Sequence, residues 1–92
     1  ERAIELSPEY WNAWSQLGVA LSFYGEAERA EEALLKALEL APNSSNAHYY
    51  YGAFLSAEKS RHEQALSSVR QALQINPGNS AARRLQQKLL IF

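Results

Sequence analysis

Ninety-two residues with a net charge of −1 and no cysteine allow one small domain and exclude a disulfide framework, a thiolate metal site and a thiolate nucleophile. Nine basic residues balance ten acidic ones, which is not the basic excess of a dedicated nucleic-acid binder. No run of about 18 apolar residues is present to cross a membrane, so neither nucleic acid nor membrane insertion is expected.

In chain order, "AIELSPEYWNA" (3–13) comes first and returns as "ALELAPNSSNA" (37–47) and "ALQINPGNSAA" (72–82). Pro8 to Pro42 is 34 residues and Pro42 to Pro77 is 35, a period that signals repeated supersecondary units. Residues 1–6 read as the tail of a helix belonging to a preceding repeat. With Glu1 in first place and no methionine, the chain reads as an internal piece of a longer protein, and no signal-peptide pattern opens it.

Residues 10–24 carry aromatic and aliphatic side chains at helical spacing, and 26–40 place Ala30, Ala33, Leu34 and Ala37 on one stripe. Residues 46–57 repeat the first pattern. Residues 61–75 repeat the second with Ala65, Val69 and Ala72. A last helix over 80–92 has Ala82, Leu85 and Leu89 in line. The three prolines end the preceding helices, and Ser7, Asn43 or Ser44, and Asn79 are the expected N-caps. Nothing alternates with period two, so no strand is predicted.

Position matching sharpens the repeat. Trp14, His48 and Arg83 share one position. Leu17-Gly18 answers to Tyr51-Gly52, and Leu21, Leu55 and Leu90 align. The extra residue of the second period falls around the turn "EKSRHE", since a turn absorbs an insertion that a helix does not. Gly18 and Gly52 lie mid-helix, where glycine costs about 1 kcal/mol against alanine; a close helix–helix approach, opposite Ala30 and Ala65, is the expected reason. Tyr51, matching Leu17, is expected inside. Glu32 and Lys36 suit an i,i+4 pair, and Glu26, Glu28, Glu31 and Glu32 read as a solvated face.

These residues resemble the tetratricopeptide repeat, a helix–turn–helix of 34 residues. The first full repeat supplies Trp14, Leu17, Gly18, Leu21, Gly25, Ala30, Leu34, Ala37 and Pro42. The second supplies Tyr51, Gly52, Leu55, Ala65, Val69, Ala72 and Pro77, and departs at His48. The resemblance implies an all-α, right-handed superhelical solenoid of antiparallel helix pairs. Its divisions would be a preceding tail (1–10), repeats at 11–44 and 45–79, and a capping helix (80–92). Gln86, Gln87 and Lys88 would supply the polar outer face that a terminal repeat needs. The uncovered N-terminal end would be open to self-association.

The resemblance also implies a concave groove lined by first-helix residues: Asn12, Ser15, Val19 and Ser22, then Asn46, Tyr49, Tyr50, Ala53 and Ser56, then Arg84 and Lys88. Such grooves hold extended peptides. The family's carboxylate-gripping clamp is not expected, because its groove positions hold Ser15, Val19 and Tyr50. Arg84 and Lys88 could still meet one carboxylate.

No catalytic constellation is present. His48 and His62 fall on different predicted helices, and there is no phosphate loop, paired-histidine motif or nucleophile elbow. Neither enzyme activity nor a cofactor is expected. Trp14 is assigned to the core, and Trp11 to stapling the helix start or covering the open repeat. The expected function is protein–protein interaction, with a peptide segment or partner helix held in the groove. The rivals are a structural spacer or self-association element and, disfavoured by the charge balance, an RNA-binding repeat.

Overall fold

The computed structural model describes residues 11–91. Within them, five α-helices follow one another: α1 (Trp11–Phe23), α2 (Ala27–Leu40), α3 (Ser45–Leu55), α4 (His62–Ile75) and α5 (Ser80–Ile91). One 3-10 turn, Lys59–Arg61, precedes α4. No strand occurs among the described residues. The fold is an all-α solenoid of antiparallel hairpins, α1–α2 and α3–α4, followed by α5. The expected cap Ser7 lies outside the described residues.

The hairpins are built on small residues. Ala30, Ala33, Ala37, Ala47, Ala65, Ala72 and Ala82 are all buried, so helices meet almost backbone to backbone. A Cβ on Gly18 would lie 2.5 Å from Leu34 Cγ and 3.2 Å from the Ala30 carbonyl oxygen. On Gly52 it would lie 2.9 Å from Val69 Cγ2 and 3.3 Å from the Ala65 carbonyl oxygen. The close approach expected of both glycines is therefore present. Leu34 and Val69 press in with their side chains, and Ala30 and Ala65 contribute backbone oxygens.

The two hairpin turns differ. After α1, the Glu26 amide donates to the Leu21 carbonyl (2.9 Å) and the Gly25 amide to that of Ser22 (3.1 Å). This double bond pattern requires a left-handed residue beyond the helix end, and Gly25 provides it at φ +79°. After α3, the chain instead runs through the 3-10 turn before His62 starts α4.

Caps and joints use side chains. Ser44 Oγ accepts from the Ala47 amide (3.2 Å), and Asn79 Oδ1 from the Ala82 amide (3.2 Å). Asn79 is itself buried, and its Nδ2 donates to Ser45 Oγ (2.8 Å) and Asn46 Oδ1 (3.1 Å). Ser45 Oγ donates onward to the Ala72 carbonyl (2.7 Å). One polar chain thus ties the start of α3, the last turn of α4 and the start of α5, with each buried polar group satisfied. At the other end of α5, His62 Nε2 donates to the Leu89 carbonyl (2.8 Å). His48, read as a packing residue, is half-buried and bonded to the Pro42 carbonyl (2.8 Å).

Several expectations need correcting. Leu90 does not share the burial of Leu55; it is 59 % exposed while Leu89 is 4 % exposed. Successive helical residues are turned by about 100°, and α5 follows the 82–85–89 stripe toward α4. With Leu90 and Ile91 outward, the outer face of α5 is less polar than expected. Tyr51 is half-buried rather than inside, because its hydroxyl reaches a carboxylate. Trp14 is only half-buried and lines an open cleft of about 300 Å³ with Leu17 and Leu21. Lys36 pairs with Glu39 (3.7 Å) rather than with Glu32.

Candidate functional site

Two neighbouring clefts occupy one side of the stacked first helices. The larger, about 250 Å³, lies between α1 and α3. Five of the expected groove residues line it: Val19 and Ser22 from α1, and Tyr49, Tyr50 and Ala53 from α3. Its floor is Gly18 and Leu34. The missing glycine side chain therefore does two things: it lets α1 and α2 approach, and it leaves room above them. The second cleft, about 190 Å³, lies between α3 and α5 and is lined by Tyr49, Ala81, Arg84, Leu85 and Lys88. Tyr49 stands in both and forms the wall between them.

The aromatic run on α3 is divided by helical rotation. Tyr49 and Tyr50 stay on the groove side with ring centroids 5.4 Å apart, tilted by 53°. Tyr51 turns away and stacks on Phe54 with centroids 6.4 Å apart.

The other four expected residues are not brought to the clefts. Ser15 is fully buried, with an Oγ that has no hydrogen-bond partner. It precedes Gly18 by one turn and shares its face toward α2. A serine fits inside that seam; the tyrosine at the equivalent place on α3 is too large and reaches the groove instead. Asn12 is exposed outside both clefts. Asn46 accepts from Asn79, which makes it part of the joint. Ser56 Oγ donates to the Ala53 carbonyl (2.7 Å) and finishes α3.

Reading by position missed Phe23 and Phe54, which complete the larger cleft. Phe23 is 86 % exposed at its lip, beside Tyr24 at 81 %. The visible signal was "FY" (23–24) immediately before a turn glycine, where a buried aromatic pair is not expected. Leu85 was legible only as a core residue, yet it also floors the second cleft.

A charged cluster was also missed, on the opposite flank of α3. Glu31 accepts from Arg61 at both oxygens (2.9 and 2.7 Å) and from the Tyr51 hydroxyl (2.8 Å). Arg61 Nε donates to Gln64 (2.8 Å). The Arg61 hydrogen bonds hold the Glu31 carboxyl below its ordinary value, against the upward pull of its burial and with help from Tyr51. Burial first, then the Glu31 hydrogen bond, raises the Tyr51 phenol. Glu31 therefore leaves the solvated acidic face to which it was assigned and joins α2 to the next hairpin. Among the described residues, no three His, Asp or Glu side chains stand together as a metal site.

The architecture is that of a tandem helical-hairpin repeat, in which the groove and the joints are written by the same positions of successive units. The tetratricopeptide repeat signature matches residues 1–32 and 33–67, and the chain belongs to that family. It is 33 % identical over 81 residues to a cell division cycle protein 27 homolog of Caenorhabditis elegans. That match takes in 88 % of this chain and 10 % of the relative, so the chain spans about a tenth of that protein. Family and relative together give the class, a protein–protein interaction module. No helix among the described residues is long and apolar enough to cross a membrane.

Proposed function

We propose that the module binds its partner in the concave groove, as a peptide segment laid across α1, α3 and α5 with Tyr49 as the central anchor. The observation that carries this is the double role of Tyr49, whose side chain lines both clefts. Aromatic side chains at the centre of a contact surface are over-represented among residues that dominate binding energy. Tyr50 and Val19 supply apolar wall, and Ser22 a hydroxyl for the peptide backbone. The partner's identity, and any role in cell division suggested by the relative's name, belong to the same proposal.

Photo-crosslinking tests it. A benzoylphenylalanine at Val19 should capture the partner from a lysate, whereas one at Leu35, exposed on α2 away from both clefts, should not. Crosslinking from 35 and not from 19 would move the site off the groove.

A second reading, self-association, is favoured by the open cleft of about 300 Å³ at Trp14, Leu17 and Leu21. Sedimentation over a range of concentrations distinguishes it. A mass that rises with concentration, and stays monomeric in Leu17→Lys, would support it.

A further inference from the structure

We propose that the groove selects segments that pair a bulky apolar side chain with a side-chain carboxylate two residues away. This rests on the groove reading and names the chemistry of its ligand.

The two clefts differ in character. The one between α1 and α3 is walled by Val19, Tyr50, Phe23 and Phe54 and carries no charged residue. The one between α3 and α5 has an apolar floor, Ala81 and Leu85, with Arg84 and Lys88 on its rim. These two cations are one helical turn apart on α5, on the same face. Helix α5 holds Arg83, Arg84 and Lys88 and no acidic residue. The ion pairs among the described residues are Arg29–Glu26, Lys36–Glu39 and Arg61–Glu31; none engages α5. Two of the nine basic residues, Arg84 and Lys88, thus stand beside the groove with no ion-pair partner among the described residues.

Geometry then sets the spacing. Tyr49 lines both clefts and stands between them. In an extended peptide, alternate side chains fall on one side, separated by about 7 Å. A segment crossing Tyr49 would place an apolar side chain in the first cleft and a carboxylate between Arg84 and Lys88. Two cations beside one carboxylate favour charge-assisted hydrogen bonds, and arginine can offer two at once. The acid is a side chain rather than a chain terminus. A segment laid across α1, α3 and α5 meets Arg84 and Lys88 with a side chain along its length, whereas a terminus would have to stop between them.

The test is a display library of seven-residue segments, one arm with the C-terminus blocked and one with it free. It is selected on the 92-residue chain, on the Arg84→Glu/Lys88→Glu variant and on Tyr49→Ala. Circular dichroism confirms that each variant stays helical. The expected result is enrichment of a bulky apolar residue with Asp or Glu two places away in both arms. A synthetic capped peptide of that sequence should bind the double variant about tenfold more weakly, a loss of about 1.4 kcal/mol, and the double variant should enrich Lys or Arg at the acidic position. Enrichment confined to free C-termini would overturn the side-chain assignment. Apolar enrichment without an acid preference, lost in Tyr49→Ala, would overturn the proposal and leave the groove reading standing. Selections unaltered by either variant, or no enrichment, would overturn both.

Discussion

Trp14, Leu17 and Leu21 stand on α1 where His48, Tyr51 and Leu55 stand on α3, yet Leu21 is half-buried while its equivalent Leu55 is 1 % exposed. The residue type does not explain the difference, since both positions hold leucine. Neighbours explain it. Among the described residues, α3 has a hairpin on one side and a helix pair on the other, and Tyr51 is reached by Glu31 across the joint. The same letter in a repeat therefore fixes a direction in space, and the adjacent unit decides whether that direction is core or surface.

The comparison can be broken hardest at the joint to α5. Asn79→Ala removes a cap, one buried side-chain bond and one part-buried one, and should cost about 2–3 kcal/mol in chemical denaturation. Ser44→Ala, at the equivalent cap of α3, should cost about 1 kcal/mol. Equal losses would mean that the polar chain through Ser45 adds nothing.

The two glycine seams come next. Adding a methyl to a tight seam costs about 1–3 kcal/mol, while replacing a mid-helix glycine returns about 1 kcal/mol. The clash at Gly18 is with a branch-point carbon at 2.5 Å, and at Gly52 with a methyl at 2.9 Å. Gly18→Ala should therefore lose about 2 kcal/mol and Gly52→Ala about zero. Gly18→Ala should also constrict the larger cleft, whose floor is Gly18.

The Glu31 cluster gives a pH signature. Its carboxyl is lowered from the ordinary 4.5 in the folded chain. A lowered folded pKa stabilises fully above the unfolded value and is lost as pH falls through the folded one. Stability should therefore fall below about pH 4.5 in the native chain, and this acid-side loss should be smaller in Arg61→Gln, which lacks the pairing that lowers Glu31. The smallest effect is expected at Lys36→Ala, which breaks an exposed pair of 3.7 Å and should change stability by no more than about 0.5 kcal/mol.

Much of this was legible in the letters. Helix spans, the repeated glycines, the Asn79 cap and the small-residue stripes followed from periodicity, because those features depend on residues a few places apart. Val19, Tyr49, Arg84 and Lys88 could be aimed at one side of the solenoid for the same reason. What could not be read was which equivalent residue had room. Ser15 and Tyr49 share a position, but only size within a packed seam sends one inside and the other to the groove. Phe23 at the lip, Glu31 held by Arg61 from 30 residues away, and the division of the groove into an apolar and a cationic cleft all depend on residues of different hairpins meeting. Local spacing determined the helices and their faces; the stacking of one hairpin on the next decided what those faces meet.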